Sequence, residues 1–300
     1  MKRPSVLFIA PTRIGDAVLA ASILRHIQST MPEAEVTIAT SPLAAPLYEG
    51  YPLLKRIIPV VKQRYNRHWL ALWRETSGTR WDAVWDVRGS ILSFVLRIRR
   101  RYYYVPPKEP APKVKQYEQA FGTGVLPYPM LWPHPSDCEA AAQLLPEGTR
   151  YLILAPIANW EPKEWPLESF ITLARLLLTG FCRGYRPVII CAAHERVRAL
   201  PMLKALEEFH PVDLTHGSVP LLTIYAAMQR AHGFIGNDSG LMHMAAAAAI
   251  PTLGVFGPTP HLVYQPWGEH ADYVRAENGD LSQLKPETVA RAFRQLLDRT

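Results

Sequence analysis

The chain has 300 residues, of which 48% are hydrophobic and 20% charged, and a net charge of +7. That length supports a sizeable core and favours two domains over one, and that composition excludes an intrinsically disordered chain. Cys138, Cys182 and Cys191 form neither a CxxC pair nor a zinc-like spacing, so they read as reduced, mostly buried thiols of a cytoplasmic protein.

The positive charge is uneven. Residues 1–145 hold 19 lysines and arginines against 11 acids, and residues 146–300 hold 14 against 15. The excess gathers at Lys55, Arg56, Lys62, Arg64 and Arg67, then at Arg97 and Arg99 to Arg101, then at Lys108, Lys113 and Lys115. Such patches suit an anionic partner, such as a phosphorylated glycolipid, a phospholipid surface or nucleic acid, or simply a solvated face. The basic start and short apolar run of the N-terminus end at Pro11 without a cleavage site, so they read as a first strand rather than a signal peptide. The longest apolar tract, Leu241 to Phe256, is interrupted by His243 and Pro251 and is too short to span a bilayer.

In chain order, strands are expected at 6–10, 35–40, 55–61, 81–87 and 102–105. Helices are expected between them at 17–29, 42–49, 69–75 and 91–98. Residues 106–136 carry eight prolines and read as an extended loop and linker, with a helical piece near 116–121. Alternation then resumes. Strands are expected at 151–155, 187–192 and 212–214, and helices at 167–179, 195–208, 221–230 and 286–297. Alternation of this kind builds a doubly wound parallel sheet. Two such halves joined by a linker predict an α/β protein with two Rossmann-like domains, 1–136 and 137–300. The site is expected in a cleft between the carboxyl ends of their sheets.

The most informative stretch is 233–257, GFIGNDSGLMHMAAAAAIPTLGVFG, which reads as strand, polar turn, helix and strand. Ser239 is placed to cap the helix, and the free N–H groups of the helix start suit a phosphate. Asp238, Ser239 and His243 are the polar side chains at that corner. By spacing alone, an ordinary capped βαβ corner fits as well.

Asp238-Ser239-Gly240, His243, Ala245 to Ala247, Pro251 and Phe256-Gly257-Pro258-Thr259 resemble the nucleotide-sugar site of glycosyltransferase family 9, the ADP-heptose:lipopolysaccharide heptosyltransferases. Pro266-Trp267-Gly268 is similar to the tail of that family's pattern. The resemblance implies a GT-B fold, with domain 1–136 binding acceptor and domain 137–300 binding donor. It further implies inverting, metal-independent transfer of heptose from ADP-heptose to the lipopolysaccharide inner core. The enzyme would need no cofactor beyond that donor. It would be cytoplasmic and peripheral at the inner membrane of a Gram-negative cell, and would bind no nucleic acid.

The resemblance also assigns residues. Asp16, in Arg13-Ile14-Gly15-Asp16, matches the family's general base, although spacing alone equally supports a helix cap. Lys163 matches a lysine that contacts the donor diphosphate, with Asn159 nearby. Ala158 stands where the family often has a hydroxyl. Glu195 partly matches a ribose-binding glutamate, but reads equally as a helix-start residue. The donor set is therefore Asn159, Lys163, Glu195, Asp238, Ser239, Gly240, Leu241 and His243, with His243 reading equally as a packed residue. Arg13, Lys62 and Arg64 are the acceptor-side cations. The sequence has no G-x-G-x-x-G, Walker A lysine motif or H-E-x-x-H, and no Asp-x-Asp pair of the kind a metal-chelating GT-A transferase uses. The alternatives are a relative using another nucleotide sugar or acceptor, and a non-catalytic sugar-nucleotide-binding protein.

Overall fold

A computed structural model describes residues 3–300, so Met1 and Lys2, part of the basic start, lie outside the described residues. The chain packs as two units, one ending at Trp132 and the other beginning at Pro133, whereas the sequence placed the change at 136/137.

The first unit contains β1 (Ser5–Ile9), α1 (Ile14–Thr30), β2 (Glu35–Thr40), β3 (Leu54–Pro59), α2 (Arg67–Thr76), β4 (Trp81–Asp86), α3 (Leu92–Val95), β5 (Ile98–Tyr103) and α4 (Lys113–Phe121). Its strands form a parallel sheet in the order β3-β2-β1-β4-β5. Val6 to Ile9 are fully buried, as expected of a central parallel strand covered on both faces. Leu72 of α2 and Leu92 of α3 pack with Leu7, Ile9 and Val84 on one face. On β4 and β5, Trp85 stacks on Tyr102 at 3.8 Å, and Phe121 of α4 meets Trp85 edge-on. Gly50 lets the last residues of this unit return to its body, because a Cβ there would lie 1.7 Å from the Trp132 carbonyl oxygen.

The second unit contains α5 (Pro135–Leu144), β6 (Arg150–Ala155), α6 (Leu167–Thr179), β7 (Tyr185–Ile190), α7 (Arg196–Ala205), β8 (Val212–Leu214), α8 (Leu221–Met228), β9 (Phe234–Asn237), α9 (Gly240–Ala247), β10 (Thr252–Phe256), α10 (His261–Tyr264), β11 (Ala271–Arg275) and α11 (Pro286–Leu297). Its parallel sheet runs β11-β10-β9-β6-β7-β8. Leu154, Phe170, Ile189, Leu253 and Phe293 belong to its core.

Both units are Rossmann-like, as the alternation predicts. In each sheet the winding reverses between two neighbouring strands, β1 and β4 in the first and β6 and β9 in the second. Connections leave such a pair toward opposite faces, which opens a crevice at their carboxyl ends.

Several elements differ from expectation. The helix expected at 91–98 is only the four residues of α3, because Leu96 is already extended. β5 therefore starts at Ile98, and Arg99 to Arg101 lie within the strand, paired in register with β4, rather than ahead of it. The first long helix begins three residues early, at Ile14, which makes Arg13 its N-cap residue and Asp16 a first-turn residue. α7 ends at Ala205, and a separate 3-10 turn covers Glu207–Phe209. α9 stops at Ala247, with Ala249 held at φ 60°, before Pro251 is reached. α5, α10 and β11 were not expected. α5 docks on α8, where Thr223 Oγ1 donates to Asp137 Oδ1 at 2.6 Å. No described helix is long and apolar enough to cross a membrane.

Candidate active site

In the second unit the loops after β6 and β9 meet at the crevice. Asn237 ends β9 fully buried and fastens both sides. Its Nδ2 donates to the Pro156 carbonyl at 2.6 Å, and its Oδ1 accepts from the Trp165 N–H at 3.1 Å. Trp165 is itself buried and donates its indole N–H to the Leu284 carbonyl at 3.0 Å. This brace fixes a 3-10 turn, Glu161–Lys163, above the start of α9.

From that turn Lys163 reaches Asp238, with Nζ 2.7 Å from Oδ2. The Asp238 side chain is 5% exposed and that of Lys163 22%, so the pair is poorly screened while the ammonium still meets solvent. The first N–H groups of α9 have no acceptor within their own helix, and the helix dipole adds positive potential there. Ser239 occupies the cap position, but its hydroxyl makes no capping bond, and its buried Oγ has no hydrogen-bond partner. The expected cap is therefore corrected: Ser239 Oγ is buried and does not cap α9. Asp238 likewise binds Lys163 rather than capping the helix. Thr259 Oγ1, beyond the carboxyl end of β10, is also buried without a partner. The ammonium, the helix start and the hydroxyl are gathered at one corner, a chemistry able to receive a phosphate.

Gly240 and Leu241 open α9, Leu241 half-buried, and His243 is buried on the same helix at 4% exposure. Asn159 is exposed on the loop after β6. Glu195 lies after β7, buried, with Oε2 accepting from the Ala192 N–H at 3.0 Å, so part of its role is to close the turn that begins the helical segment. A second carboxylate was missed by sequence reasoning. Glu164 accepts two bonds from Arg198, at 2.7 and 2.8 Å, and one from the Ala158 N–H at 2.9 Å. Arg198 also stands 3.8 Å from Glu195 and so joins the loops after β6 and β7. The Cys191 thiol nearby is pushed up to about 11 by burial, aided by Glu195 and Asp213, and is inert as a nucleophile near neutrality.

In the first unit, Asp16 lies in the first turn of α1, next to the crevice between β1 and β4. The loop before it is held by Thr40 Oγ1 donating to the Pro11 carbonyl at 2.8 Å and Ser41 Oγ donating to the Thr12 carbonyl at 2.7 Å. Tyr48 OH donates to the Ala17 carbonyl at 3.0 Å, and burial, aided by Asp16, raises its phenol far above the ordinary range. Among the described residues no hydrogen bond or ion pair engages the Asp16 carboxylate. Arg13 caps α1 by position and is exposed. Lys62 and Arg64 follow β3 at the same edge of the sheet, also exposed, with Arg64 lying over the Tyr65 ring at 4.9 Å.

The other loop of this crevice was not singled out from sequence. Asp86 ends β4 fully buried and accepts from the Ser90 N–H, the Ser90 hydroxyl and the Arg88 N–H. Burial raises its pKa, and these bonds oppose the rise. Arg88 lies over Trp69 at 4.5 Å with Nη1 buried and without a hydrogen-bond partner. The available signal was its position one turn past the strand that flanks β1.

Two successive Rossmann-like units, each with a parallel sheet and a switch point, are the architecture of the GT-B class. Residues 114–292 match glycosyltransferase family 9 (heptosyltransferase), and the chain belongs to that family. It is 25% identical to lipopolysaccharide heptosyltransferase 2 of Salmonella typhimurium, over 98% of this chain and 94% of that protein. It superposes on the ADP-heptose LPS heptosyltransferase II of E. coli with a TM-score of 0.78 and 21% identity, covering 98% of this chain and 99% of that one. The E. coli heptosyltransferase WaaC solved with ADP gives a TM-score of 0.76 at 19% identity, covering 97% and 99%.

Proposed function

We propose that this enzyme transfers heptose, with inversion and without a metal, from ADP-heptose to an inner-core lipopolysaccharide acceptor. The observation that carries the reading is the Lys163–Asp238 pair at the start of α9, beside the unpartnered Ser239 hydroxyl. Lys163 and the α9 N–H groups of Gly240 and Leu241 bind the donor diphosphate and stabilise the charge it gains as it leaves. Asp238 positions Lys163, and Ser239 takes a phosphate or sugar oxygen. Asn159, Glu195 and His243 complete the donor site, with the remaining oxygen of Glu195 toward the ribose.

Asp16 accepts the proton of the acceptor hydroxyl as that oxygen bonds to the anomeric carbon. The bond from that carbon to the phosphate oxygen breaks on the opposite face, and ADP leaves with the electron pair. The first unit serves the acceptor and the second the donor. Arg13, Lys62 and Arg64 meet acceptor anions, and the unsatisfied Arg88 Nη1 adds a fourth cation at that edge. The relatives' names supply the donor and acceptor classes, and the basic first half suits both an anionic glycolipid and the inner face of the inner membrane in a Gram-negative cell.

The test is turnover by purified protein given ADP-heptose and truncated lipopolysaccharide, with and without EDTA, beside UDP- and GDP-sugars. Transfer of heptose with an inverted linkage, insensitive to EDTA, is the expected result. Because Ala158 lacks the hydroxyl usual in the family, the donor panel matters. Transfer from another nucleotide sugar in preference to ADP-heptose overturns the donor assignment, and loss of turnover in EDTA overturns metal independence.

A further inference from the structure

The connection from β4 to β5 carries an exposed apolar ridge. Ile91, Phe94 and Val95 are 75%, 54% and 59% exposed in the full chain, while Leu92, Ser93 and Leu96 between them are buried. The short helix is thus anchored by one side and bare on the other. Nothing in the packing of the unit requires three large apolar side chains outside, and grouped exposure of this kind marks an interaction surface.

Arginine surrounds the ridge. Between Asp86 and Glu109 the chain carries Arg88, Arg97, Arg99, Arg100, Arg101 and Lys108 and no acidic residue. Arg101 lies on the ridge itself, with its guanidinium 4.7 Å from the Phe94 ring centroid and Nε donating to the Ser93 carbonyl at 2.7 Å. Arg99 shares that strand face by the pleat and is exposed. Tyr103 meets Phe94 edge-on at 5.0 Å, and its hydroxyl donates to the Gly89 carbonyl at 2.7 Å. That bond ties the ridge to the loop after β4, at the sheet edge that also carries Asp16.

We propose that α3 and the β5 arginines form the surface by which this protein lies on an anionic bilayer. Ile91, Phe94 and Val95 enter the boundary between headgroups and acyl chains, while Arg97, Arg99 and Arg101 contact lipid phosphates. Apolar anchors rimmed by guanidinium groups match that boundary, where one weak signal alone does not hold a protein. A protein partner would have to supply complementary acids, whereas an anionic bilayer offers both the phosphates for the arginines around the ridge and the apolar layer for its side chains. The assignment deepens the proposed use of a lipid-borne acceptor, but its test needs neither donor nor acceptor.

The experiment is co-sedimentation of the full chain with vesicles of phosphatidylcholine alone, or with one third phosphatidylglycerol. It compares wild type, the triple variant Ile91→Ser/Phe94→Ser/Val95→Ser and the variant Arg97→Glu/Arg99→Glu. Wild type is expected to bind only the anionic vesicles, and each variant to lose more than about tenfold in affinity. The charge variant should lose the salt-sensitive part and the triple variant the part that persists at high salt. ADP binding by calorimetry should be unchanged in both, which shows that they are folded. Absence of wild-type binding to anionic vesicles, or variants that bind as wild type does, overturns the proposal, as does complete displacement by RNA. Failure here with turnover on a soluble acceptor intact sinks only the membrane surface. Vesicle binding without any turnover sinks only the transferase reading.

Discussion

Lys163 Nζ lies 2.7 Å from Asp238 Oδ2, joining two residues 75 apart in sequence across the switch point of the second sheet. Removing the ammonium leaves a nearly buried carboxylate without its partner. Lys163→Ala is expected to cost about 1–3 kcal/mol, less than a fully buried pair because Lys163 keeps some solvent, and to weaken ADP binding at least about tenfold. Lys163→Met/Asp238→Asn should recover most of the stability and none of the affinity. Thermal unfolding and calorimetric titration of the three proteins separate the two effects.

Asp16 is predicted to act on the reaction and not on the nucleotide. Asp16→Asn keeps the shape of the side chain and removes the base. Turnover should fall by about 10²–10⁴-fold while ADP affinity holds, since the residues proposed to hold the diphosphate belong to the other unit. An Asn variant with full turnover would dispose of the mechanism.

Gly50 has no room for a methyl group, because the obstructing atom is backbone and cannot swing away. Gly50→Ala is expected to destabilise the first unit by about 3 kcal/mol or more by displacing the segment that ends at Trp132. A calorimetric scan should show that unit melting earlier, with ADP binding preserved at lower temperature.

Asn237→Ala removes two bonds from a fully buried position and strands the Pro156 carbonyl and the Trp165 N–H. A loss of about 2–3 kcal/mol is expected, together with weaker ADP binding, because the turn bearing Lys163 loses its brace. Unchanged affinity in this variant would show that the turn is held from elsewhere.

Burial lowers the pKa of His26, whose ring meets Trp85 edge-on, from 6.5, and lowers those of His68 and His232 as well. A histidine with a lowered folded pKa stays neutral where the unfolded chain has already bound a proton. Its stabilising contribution is therefore complete above pH 6.5 and is lost as pH falls through that value toward the folded pKa. Melting temperature should drop between about pH 7 and pH 5, and His26→Gln should shallow that drop.

Much of this architecture was legible because buried parallel strands are short apolar runs and amphipathic helices have clear periods. Glu35 to Thr40, Leu167 to Thr179, Val212 to Leu214 and Pro286 to Leu297 were read to the residue. The failure at β5 has a physical cause. Leu92 to Leu96 look helical, and an edge strand of arginines has no apolar alternation to reveal it. In the site, Asp238, Ser239 and Lys163 were visible as a motif. What they do to one another was not, since Asn237 works through contacts with Pro156 and Trp165 that no local pattern encodes. Arg88 and Glu164 were missed because charged residues in loops are common, and only the order of the strands makes these positions special.

The arginines of β5 have a further consequence. As the last strand of its sheet, β5 presents an unpaired row of backbone donors and acceptors, the usual template for one molecule to extend its sheet onto another. Two such edges brought together would set Arg99, Arg100 and Arg101 of one copy against those of the next. A protein with this border can reach high local concentration without its molecules fusing into a shared sheet, and replacing those three arginines with threonine should turn a well-behaved solution into one that aggregates on storage.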